Sequence, residues 1–195
     1  MNKKYYRFFG GFLSVQENWL NQMSKKGYRL VHTGKMFYEF EECEPGQVKY
    51  CVEFIGQKSK SQAKDYHDFL EDMGYNVFYK NINLNASIGK VRWRPWAEKG
   101  GRIATNATTF NQELLIVEKE EDGKPFELHT SYEDQEIYYK NLRNPWLLLL
   151  LMFAIFTVTN HSAIWGILTL IFLIPVLLYQ MQIQKAKQEA KTKEW

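Results

Sequence analysis

Histidines near carboxylates are the first places where this sequence could do chemistry. His67 is followed one helical turn later by Glu71, and side chains at that spacing lie on one helix face, where they could share a metal ion. The same pair is also typical of a solvated helix surface, which is the more common arrangement. His32, His129 and His161 stand in no recognised metal or catalytic motif.

The other reactive residue types also lack a catalytic arrangement. The sequence has no nucleophile elbow, phosphate-binding glycine loop, HExxH motif or zinc-type cysteine spacing. We therefore predict a non-enzymatic protein with no cofactor and no metal. One enzymatic alternative stays open, in which His129 or His32 meets a carboxylate in a groove beside the segment 97–130.

The segment 90–96, KVRWRPW, is the most suggestive of binding. As a strand it places Lys90, Arg92 and Arg94 on one face and Val91 and Trp93 on the other. Cations beside Trp93 and Trp96 suit contact with anionic lipid headgroups. Nucleic acid is a second ligand that such cations could bind. We favour an internal or interfacial role instead, because the segment 113–136 holds nine acids against two lysines and offers the basic strand a partner within the chain.

A charge-free stretch dominates the C-terminal part, since no Lys, Arg, Asp or Glu occurs from Asn144 to Gln184. As one helix, residues 145–179 would be roughly 50 Å long, too long for a single span of a hydrocarbon core about 30 Å thick. The polar residues Asn160, His161 and Ser162 interrupt the stretch, which predicts a transmembrane helical hairpin. Its interface anchors would be Trp146, Trp165 and Tyr179.

Lysines and arginines flank the hairpin but are missing from its turn. By the positive-inside rule, both termini lie in the cytoplasm, the turn lies outside, and the lipid bilayer is one partner. The flanking positions are Lys140, Arg143, Lys185, Lys187, Lys191 and Lys193.

The N-terminal half contains an internal repeat with an offset of 47 residues. Each copy predicts a helix that ends at a glycine and leads into a strand. The matched positions are Trp19, Met23, Gly27, Tyr28 and Leu30 in the first copy, and Tyr66, Leu70, Gly74, Tyr75 and Val77 in the second.

Between the two helices, alternating residues predict a β-hairpin of strands 36–41 and 48–54. The loop Glu44-Pro45-Gly46 would connect them and would place Phe40 opposite Tyr50. The order strand, helix, strand, strand, helix, strand indicates an α+β, ferredoxin-like βαββαβ domain. A second hairpin, of residues 112–117 and 126–129, would extend it.

These elements divide the chain into five predicted parts. They are a ferredoxin-like domain (1–96), a loop and β-hairpin extension (97–130), a juxtamembrane helix (131–144), the transmembrane hairpin (145–183) and a basic cytoplasmic tail (184–195).

The sequence resembles the DUF2812 family, a bacterial domain of unknown function whose members often carry a membrane segment. The resemblance covers residues 3–95, and it implies a bacterial membrane location but no chemistry and no catalytic residues. The residues that carry it include Trp19, Met23, Gly27, Tyr28, Pro45, Gly46, Gly74 and Tyr75.

We thus expect a membrane-anchored cytoplasmic sensory or interaction domain that binds a protein or lipid partner at the inner leaflet. A second copy of the chain is one such partner, since Phe9, Phe37 and Phe78 would make the open sheet face apolar. Nucleic acid is not expected, because strand 48–55 lacks the aromatic and basic pattern of an RNA-binding sheet. An accessory subunit of a larger membrane complex is the other non-enzymatic alternative.

Overall fold

The computed structural model describes residues 2–97, 102–105, 112–126, 128 and 132–193. The chain forms two compact units, Met1–Arg94 with Lys99–His129 and Pro95–Glu98 with Thr130–Trp195. In chain order the elements are β1 (Lys3–Tyr6), α1 (Leu13–Lys25), β2 (Tyr28–Thr33), β3 (Phe37–Glu42), β4 (Val48–Phe54), α2 (Lys60–Asp72), β5 (Asn76–Lys80), β6 (Ala86–Ile88), β7 (Val91–Trp93), β8 (Ile103–Ala104), β9 (Leu114–Glu120), α3 (Tyr132–Asn160) and α4 (Ala163–Lys193).

The first unit is α+β and contains three small antiparallel sheets, in the orders β1-β3-β2, β4-β9-β5 and β6-β7-β8. Two of these sheets repeat one design: β1-α1-β2-β3 and β4-α2-β5-β9 each place their last strand in the centre. The helices Leu13–Lys25 and Lys60–Asp72 keep the 47-residue offset read from the sequence. The third sheet lies within an insertion between β5 and β9.

Both repeats end their helix at a glycine with a left-handed backbone. Gly27 has φ +81° and Gly74 has φ +86°, a conformation that glycine adopts without steric cost. At Gly27 a Cβ atom would also stand 2.9 Å from the carbonyl oxygen of Cys43. This glycine therefore serves both the turn and a close approach of two backbone segments.

The core of the first repeat is aromatic. Trp19 and Met23 of α1 are buried, and the Trp19 ring packs edge-on against Tyr38 and Phe40 of β3 at centroid distances of 4.9 and 5.6 Å. Tyr28 meets Tyr5 edge-on at 6.4 Å. In the second repeat, the buried cluster of Ile55, Ala63, Leu70, Leu115, Val117 and Phe126 is flanked by the partly buried Tyr66, Tyr75, Val77 and Tyr79.

The predicted ferredoxin-like sheet is wrong, because strands 37–42 and 48–54 do not pair. Phe40 pairs with Lys3 and Leu30, whereas Tyr50 pairs with Glu118. The turn itself exists: Gly46 has φ +74°, and the Gln47 amide donates to the Glu44 carbonyl oxygen at 3.2 Å. Pro45 and Gly46 thus reverse the chain, but they connect two sheets instead of two neighbouring strands.

Helix α1 explains why β4 needs no strand on its second edge. The Asn21 side-chain amide accepts from the Tyr50 backbone N–H at 2.8 Å and donates to the Tyr50 carbonyl oxygen at 2.9 Å. The Glu17 carboxylate accepts from the Val52 N–H at 3.0 Å, and the Ser24 hydroxyl donates to the Val48 carbonyl oxygen. Side chains of one helix therefore cover the edge of the following repeat's first strand.

The predicted hairpin of residues 112–117 with 126–129 is also wrong. Strand β9 is the central strand of its sheet, since β4 and β5 occupy its two edges. A strand has only two hydrogen-bonding edges, so β9 has none left to form that hairpin; of the predicted second strand, residues 127 and 129 lie outside the described part of the chain.

In the second unit, α3 and α4 form an antiparallel hairpin whose break falls at residues 161–162. Helix α3 passes without interruption through Pro145 and is 29 residues long, so the predicted juxtamembrane helix and first membrane helix are one helix. Helix α4 is 31 residues long and takes in most of the predicted basic tail.

Candidate functional site: a basic β-meander with an exposed apolar face

Three residues of the predicted binding segment, Val91–Trp93, form the central strand of a three-stranded antiparallel sheet, β6-β7-β8, which we call the meander. Ala86 pairs with Trp93 and Ile88 with Val91, while Trp93 also pairs with Ile103. Paired residues project from the same face of a sheet, as do alternate residues of one strand. All five side chains therefore share one face, and Ser87, Arg92 and Ala104 share the other.

The first of these faces is apolar and solvent-exposed. Ile88 is 85% exposed and Ile103 66%, and Val91 and Trp93 are each 46% exposed. On the opposite face Ala104 is buried, Arg92 is half-buried and the small polar Ser87 is exposed. Four large apolar side chains on one face of so small a sheet form a patch of the kind that marks an interaction surface.

Exposed or half-buried basic residues accompany this apolar face. Between Gly74 and Gln112 the sequence has six basic residues and one acid; of the described ones, Lys80 and Arg94 are buried, Arg92 is half-buried, and residues 86–97 and 102–105 contain no acid. Lys90 follows Gly89 in the tight turn between β6 and β7, and both Lys90 and Arg102 are exposed. The meander therefore presents apolar side chains together with an excess of positive charge.

Arg94 and Trp96, two of the five predicted contact residues, are buried. Burial lowers the pKa of Arg94, and the negative charge of Glu113 partly opposes that shift. Glu113 is itself buried and accepts from the Asn85 side chain at 2.7 Å and from the Ile82 amide at 3.2 Å. Arg94 thus follows the internal alternative, and Lys90, Arg92 and Trp93 are the predicted contact residues that are exposed or half-buried.

Ile88 and Ile103 are surface residues that the sequence reasoning missed. For Ile88 a signal exists, because Gly89-Lys90 between the alternating residues of β6 and β7 is typical of a two-residue hairpin turn. For Ile103 the sequence offers none, since β8 is only two residues long.

Buried charged groups elsewhere in the first unit serve to hold the repeats together. Glu118 of β9 is 1% exposed, and its carboxylate accepts from Arg29 at 2.8 Å, Tyr50 at 2.7 Å and Asn76 at 2.9 Å. Arg29 belongs to the first repeat, whereas Glu118, Tyr50 and Asn76 belong to the second. Glu118 raises the pKa of Arg29, and burial raises that of Tyr50.

Lys80 at the end of β5 is the second such group. Its ammonium donates to the carbonyl oxygens of Gly34, Lys35 and Phe37 and lies 4.2 Å from the centroid of the Tyr38 ring. Burial lowers the pKa of Lys80 to about 8. The Gly34 and Lys35 carbonyls lie in the segment that joins β2 to β3 and Phe37 begins β3, so this lysine fixes a loop of the first repeat from a strand of the second.

His67 and Glu71, the pair for which the sequence favours a solvated helix face over a metal site, have a third neighbour, Asp68, in the structure. Nδ1 of His67 lies 3.6 Å from a carboxylate oxygen of Asp68 and 3.6 Å from one of Glu71, and the three donor atoms lie within 4.8 Å of one another. The His67 ring is stacked on Tyr79 at 4.8 Å. Both carboxylates are about half exposed, at 54% of their side-chain surface, so water solvates them as it does other helix faces.

Within the described part of the chain, the remaining histidines form no catalytic arrangement. His32 is exposed beside the Phe37 ring, and His161 lies in the turn between α3 and α4. His129 lies outside the described residues. Two adjoining hollows of about 390 and 510 Å³ share Tyr79 and Gln112, and lysines are the charged residues among their described lining.

The helical hairpin exposes its apolar side chains instead of burying them. In the most apolar 18-residue windows of α3 and α4, only 6% and 11% of the residues are buried. Both helices are long and apolar enough to cross a membrane. A core helix of a soluble protein would be mostly buried, so this surface suits an apolar environment.

Polar and aromatic contacts join the two helices. The hydroxyls of Thr157 and Thr169 are hydrogen-bonded across the hairpin at 3.1 Å, and Arg143 donates to the side-chain oxygen of Gln180 at 2.6 Å. Of the predicted interface anchors, Trp146 packs against Phe172, Trp165 packs against Phe153 and Phe156, and Tyr179 is buried.

Fold and site together define a class, an α+β domain built from two β-α-β-β repeats and followed by an apolar helical hairpin. The chain belongs to the DUF2812 family, described as a protein of unknown function, which matches residues 13–151. This confirms the resemblance seen in the sequence and extends it into α3. Neither the comparison with curated proteins nor that with solved structures found a match.

Proposed function

We propose that this chain is a non-enzymatic interaction domain, anchored in the bacterial cell membrane by α3 and α4 and facing the cytoplasm. The observation that carries the proposal is the outward-facing apolar surface of the hairpin. Leu148, Ile155 and Val158 of α3 and Ile164 and Leu170 of α4 are 62–71% exposed. Such side chains are stable in contact with lipid tails and costly in water.

Charges beyond the apolar region support the orientation. Glu136 of α3 forms ion pairs with Lys140 and with Lys187 of α4, the latter at 3.4 Å. Lys185 and Arg143 add further positive charge near that end of the hairpin, whereas the turn at residues 160–162 carries no lysine or arginine. The positive-inside rule then places both termini in the cytoplasm.

The buried charged groups favour a binding role over catalysis. Glu118, Glu113 and Lys80 are each engaged in hydrogen bonds that connect strands and loops. The exposed, chemically distinctive surface is the meander. A partner, whether protein or lipid, would therefore contact the chain at that sheet or along the hairpin.

Cysteine labelling in intact cells tests the anchor and its orientation. In a background with Cys43→Ser and Cys51→Ala, a membrane-impermeant maleimide should label Ser162→Cys without permeabilisation. The matched control Ser61→Cys, on the exposed start of α2, should be labelled only after permeabilisation. The reverse pattern would overturn the orientation, and recovery of the chain in the alkaline carbonate supernatant would overturn the anchor.

The accessory-subunit alternative rests on the same exposed helix faces, which could pack on other membrane helices. A photo-crosslinking residue at Ile155 distinguishes the two arrangements. Lipid adducts support a lipid-facing hairpin, whereas one discrete protein adduct supports a subunit interface.

A further inference from the structure

We propose that the apolar face of the meander inserts into the headgroup region of an anionic bilayer, giving the chain a second, peripheral membrane contact. This inference rests on the proposed anchor, because the bilayer concerned is the one that α3 and α4 would cross. The inserting side chains are Ile88, Val91, Trp93 and Ile103.

The side chains of this face suit the interfacial layer of a membrane. Trp93 has an amphipathic ring of the kind that concentrates at headgroup level. Ile88 stands beside a tight turn and is the most exposed of the four, so it would enter deepest. The register aligns them, since Ile88 faces Val91 and Trp93 faces Ile103.

Charge complementarity selects anionic lipid as the occupant. The described cations on or beside the meander that are not buried are Lys90, Arg92 and Arg102, and residues 86–97 and 102–105 contain no acid, so this surface is attracted to a negatively charged leaflet. Lys90 and Arg102 are exposed close to the apolar face, and a lysine or arginine can extend its charge toward headgroups while its stem stays in the interface.

Depth-dependent fluorescence quenching tests the inference on the full-length protein. In the Cys43→Ser and Cys51→Ala background, an environment-sensitive dye is attached to Ile88→Cys, Ile103→Cys or Ser87→Cys. Ser87 is the matched control, because it lies on the same strand as Ile88 but on the opposite face. Each protein is reconstituted into vesicles of phosphatidylcholine with 30% phosphatidylglycerol, with and without brominated lipid.

We expect brominated lipid to quench the dye at positions 88 and 103 at least twofold more than at position 87. Replacing phosphatidylglycerol with neutral lipid should remove most of that difference, as should the substitution Trp93→Asp. Equal quenching at positions 87 and 88 would overturn the inference. So would a blue shift at position 88 that appears in detergent and grows with protein concentration, because a second copy would then be the occupant.

A dye at Leu151→Cys on the exposed surface of α3 separates this inference from the anchor. Quenching at position 151 without quenching at position 88 would refute the meander contact and leave the anchor intact. Failure at position 151 would refute the anchor itself.

Discussion

Glu118 is the residue on which the two repeats converge, because its buried carboxylate binds side chains from β2, β4 and β5. The arrangement satisfies a charge that would otherwise be costly to bury. Arg29 neutralises the carboxylate, and the Tyr50 hydroxyl passes the network on by accepting from the Leu30 amide at 2.7 Å. The residues of this network lie on strands far apart in sequence, so no residue spacing in the chain predicts it.

We predict that Glu118→Gln lowers the free energy of unfolding by about 2–4 kcal/mol, because Arg29 loses its counter-charge and an NH₂ group replaces one acceptor oxygen. Urea unfolding of the full-length protein in mild detergent, followed by tryptophan fluorescence, measures the change. Glu120→Gln, exposed on the same strand and face, should change stability by less than about 0.5 kcal/mol. A loss below about 1 kcal/mol for Glu118→Gln would contradict a structural role for the network.

The lowered pKa of Lys80 predicts that the free energy of unfolding depends on pH. Its pKa is lowered to about 8 by burial from an ordinary value of 10.5. Between those two values the unfolded chain binds a proton that the folded chain has released, so the contribution of Lys80 to stability rises with pH. Below pH 8 the ammonium is charged in both states and the cost of burying it is complete.

Comparison with Lys80→Met isolates this effect from other titrating groups. From pH 8 to 10.5, the stability of the wild type relative to the variant should rise by up to about 3 kcal/mol. Lys35→Met, at an exposed position near Lys80, controls for the general effect of replacing a lysine with methionine. A pH-independent difference for Lys80→Met would contradict the burial effect.

At the scale of elements, the repeat shows how one helix position acquires different roles in its two copies. Asn21 of α1 corresponds to Asp68 of α2 at the 47-residue offset. Asn21 offers both a donor and an acceptor, and it binds both backbone groups of Tyr50 as a neighbouring strand would. Asp68 is exposed, and its carboxylate lies beside His67 and Glu71 instead of covering a strand edge.

We predict that Asn21→Ala lowers the free energy of unfolding by about 2 kcal/mol, because it leaves the Tyr50 N–H and carbonyl without their partner. The Tyr50 amide should also lose protection from hydrogen exchange. Asp68→Ala, the matched position in the other repeat, should cost less than about 0.5 kcal/mol. Equal effects at the two positions would show that α1 does not protect the edge of β4.

The same elements show what the sequence could and could not predict. Local signals were sufficient for the two helices, their glycine ends at Gly27 and Gly74, and the reversal at Pro45-Gly46. Pairing was mispredicted because alternation in β3 and β4 identifies a buried face but not the neighbour across a strand edge. The partner of β4 is β9, 60 or more residues away. The side chains of α1 that cover the other edge of β4 follow no periodic pattern in the sequence.

For the candidate site, the sequence found the basic strand but not its surroundings. Alternation correctly separated Val91 and Trp93 from Lys90 and Arg92. It could not show that Arg94 and Trp96 are buried. The charge that acts on the buried Arg94 is that of Glu113, which lies 19 positions further along the chain. Ile103 joins the apolar face only through the pairing of β8 with β7.

At the scale of the whole molecule, the chain combines two materials with different solvent requirements. Cross-strand pairs, the Glu118 network and aromatic cores stabilise the α+β unit, whose charged residues suit water. The hairpin buries few of its apolar residues and joins its helices through Thr157–Thr169 and stacked rings. The averaged composition conceals this division, and the position of the charges along the chain reveals it.

The division leads to a prediction about how the hairpin is oriented. Positive charge resists transfer across the membrane, whereas acidic residues have little influence on topology. Lys185→Gln and Lys187→Gln weaken the retention signal on one flank, and Asn160→Cys, in the cysteine-free background, reports where the turn lies. Adding His161→Lys and Ser162→Lys should then keep the turn inside, and the external maleimide should lose most of its reaction with Cys at position 160. The charge-matched control His161→Glu with Ser162→Glu adds two ionised groups of opposite sign and should be labelled like the parent. Equal labelling of the lysine and glutamate pairs would show that flanking charge does not orient the hairpin. The burial pattern of α3 and α4 would still call for an apolar solvent, and packing against other membrane helices would become the orienting interaction.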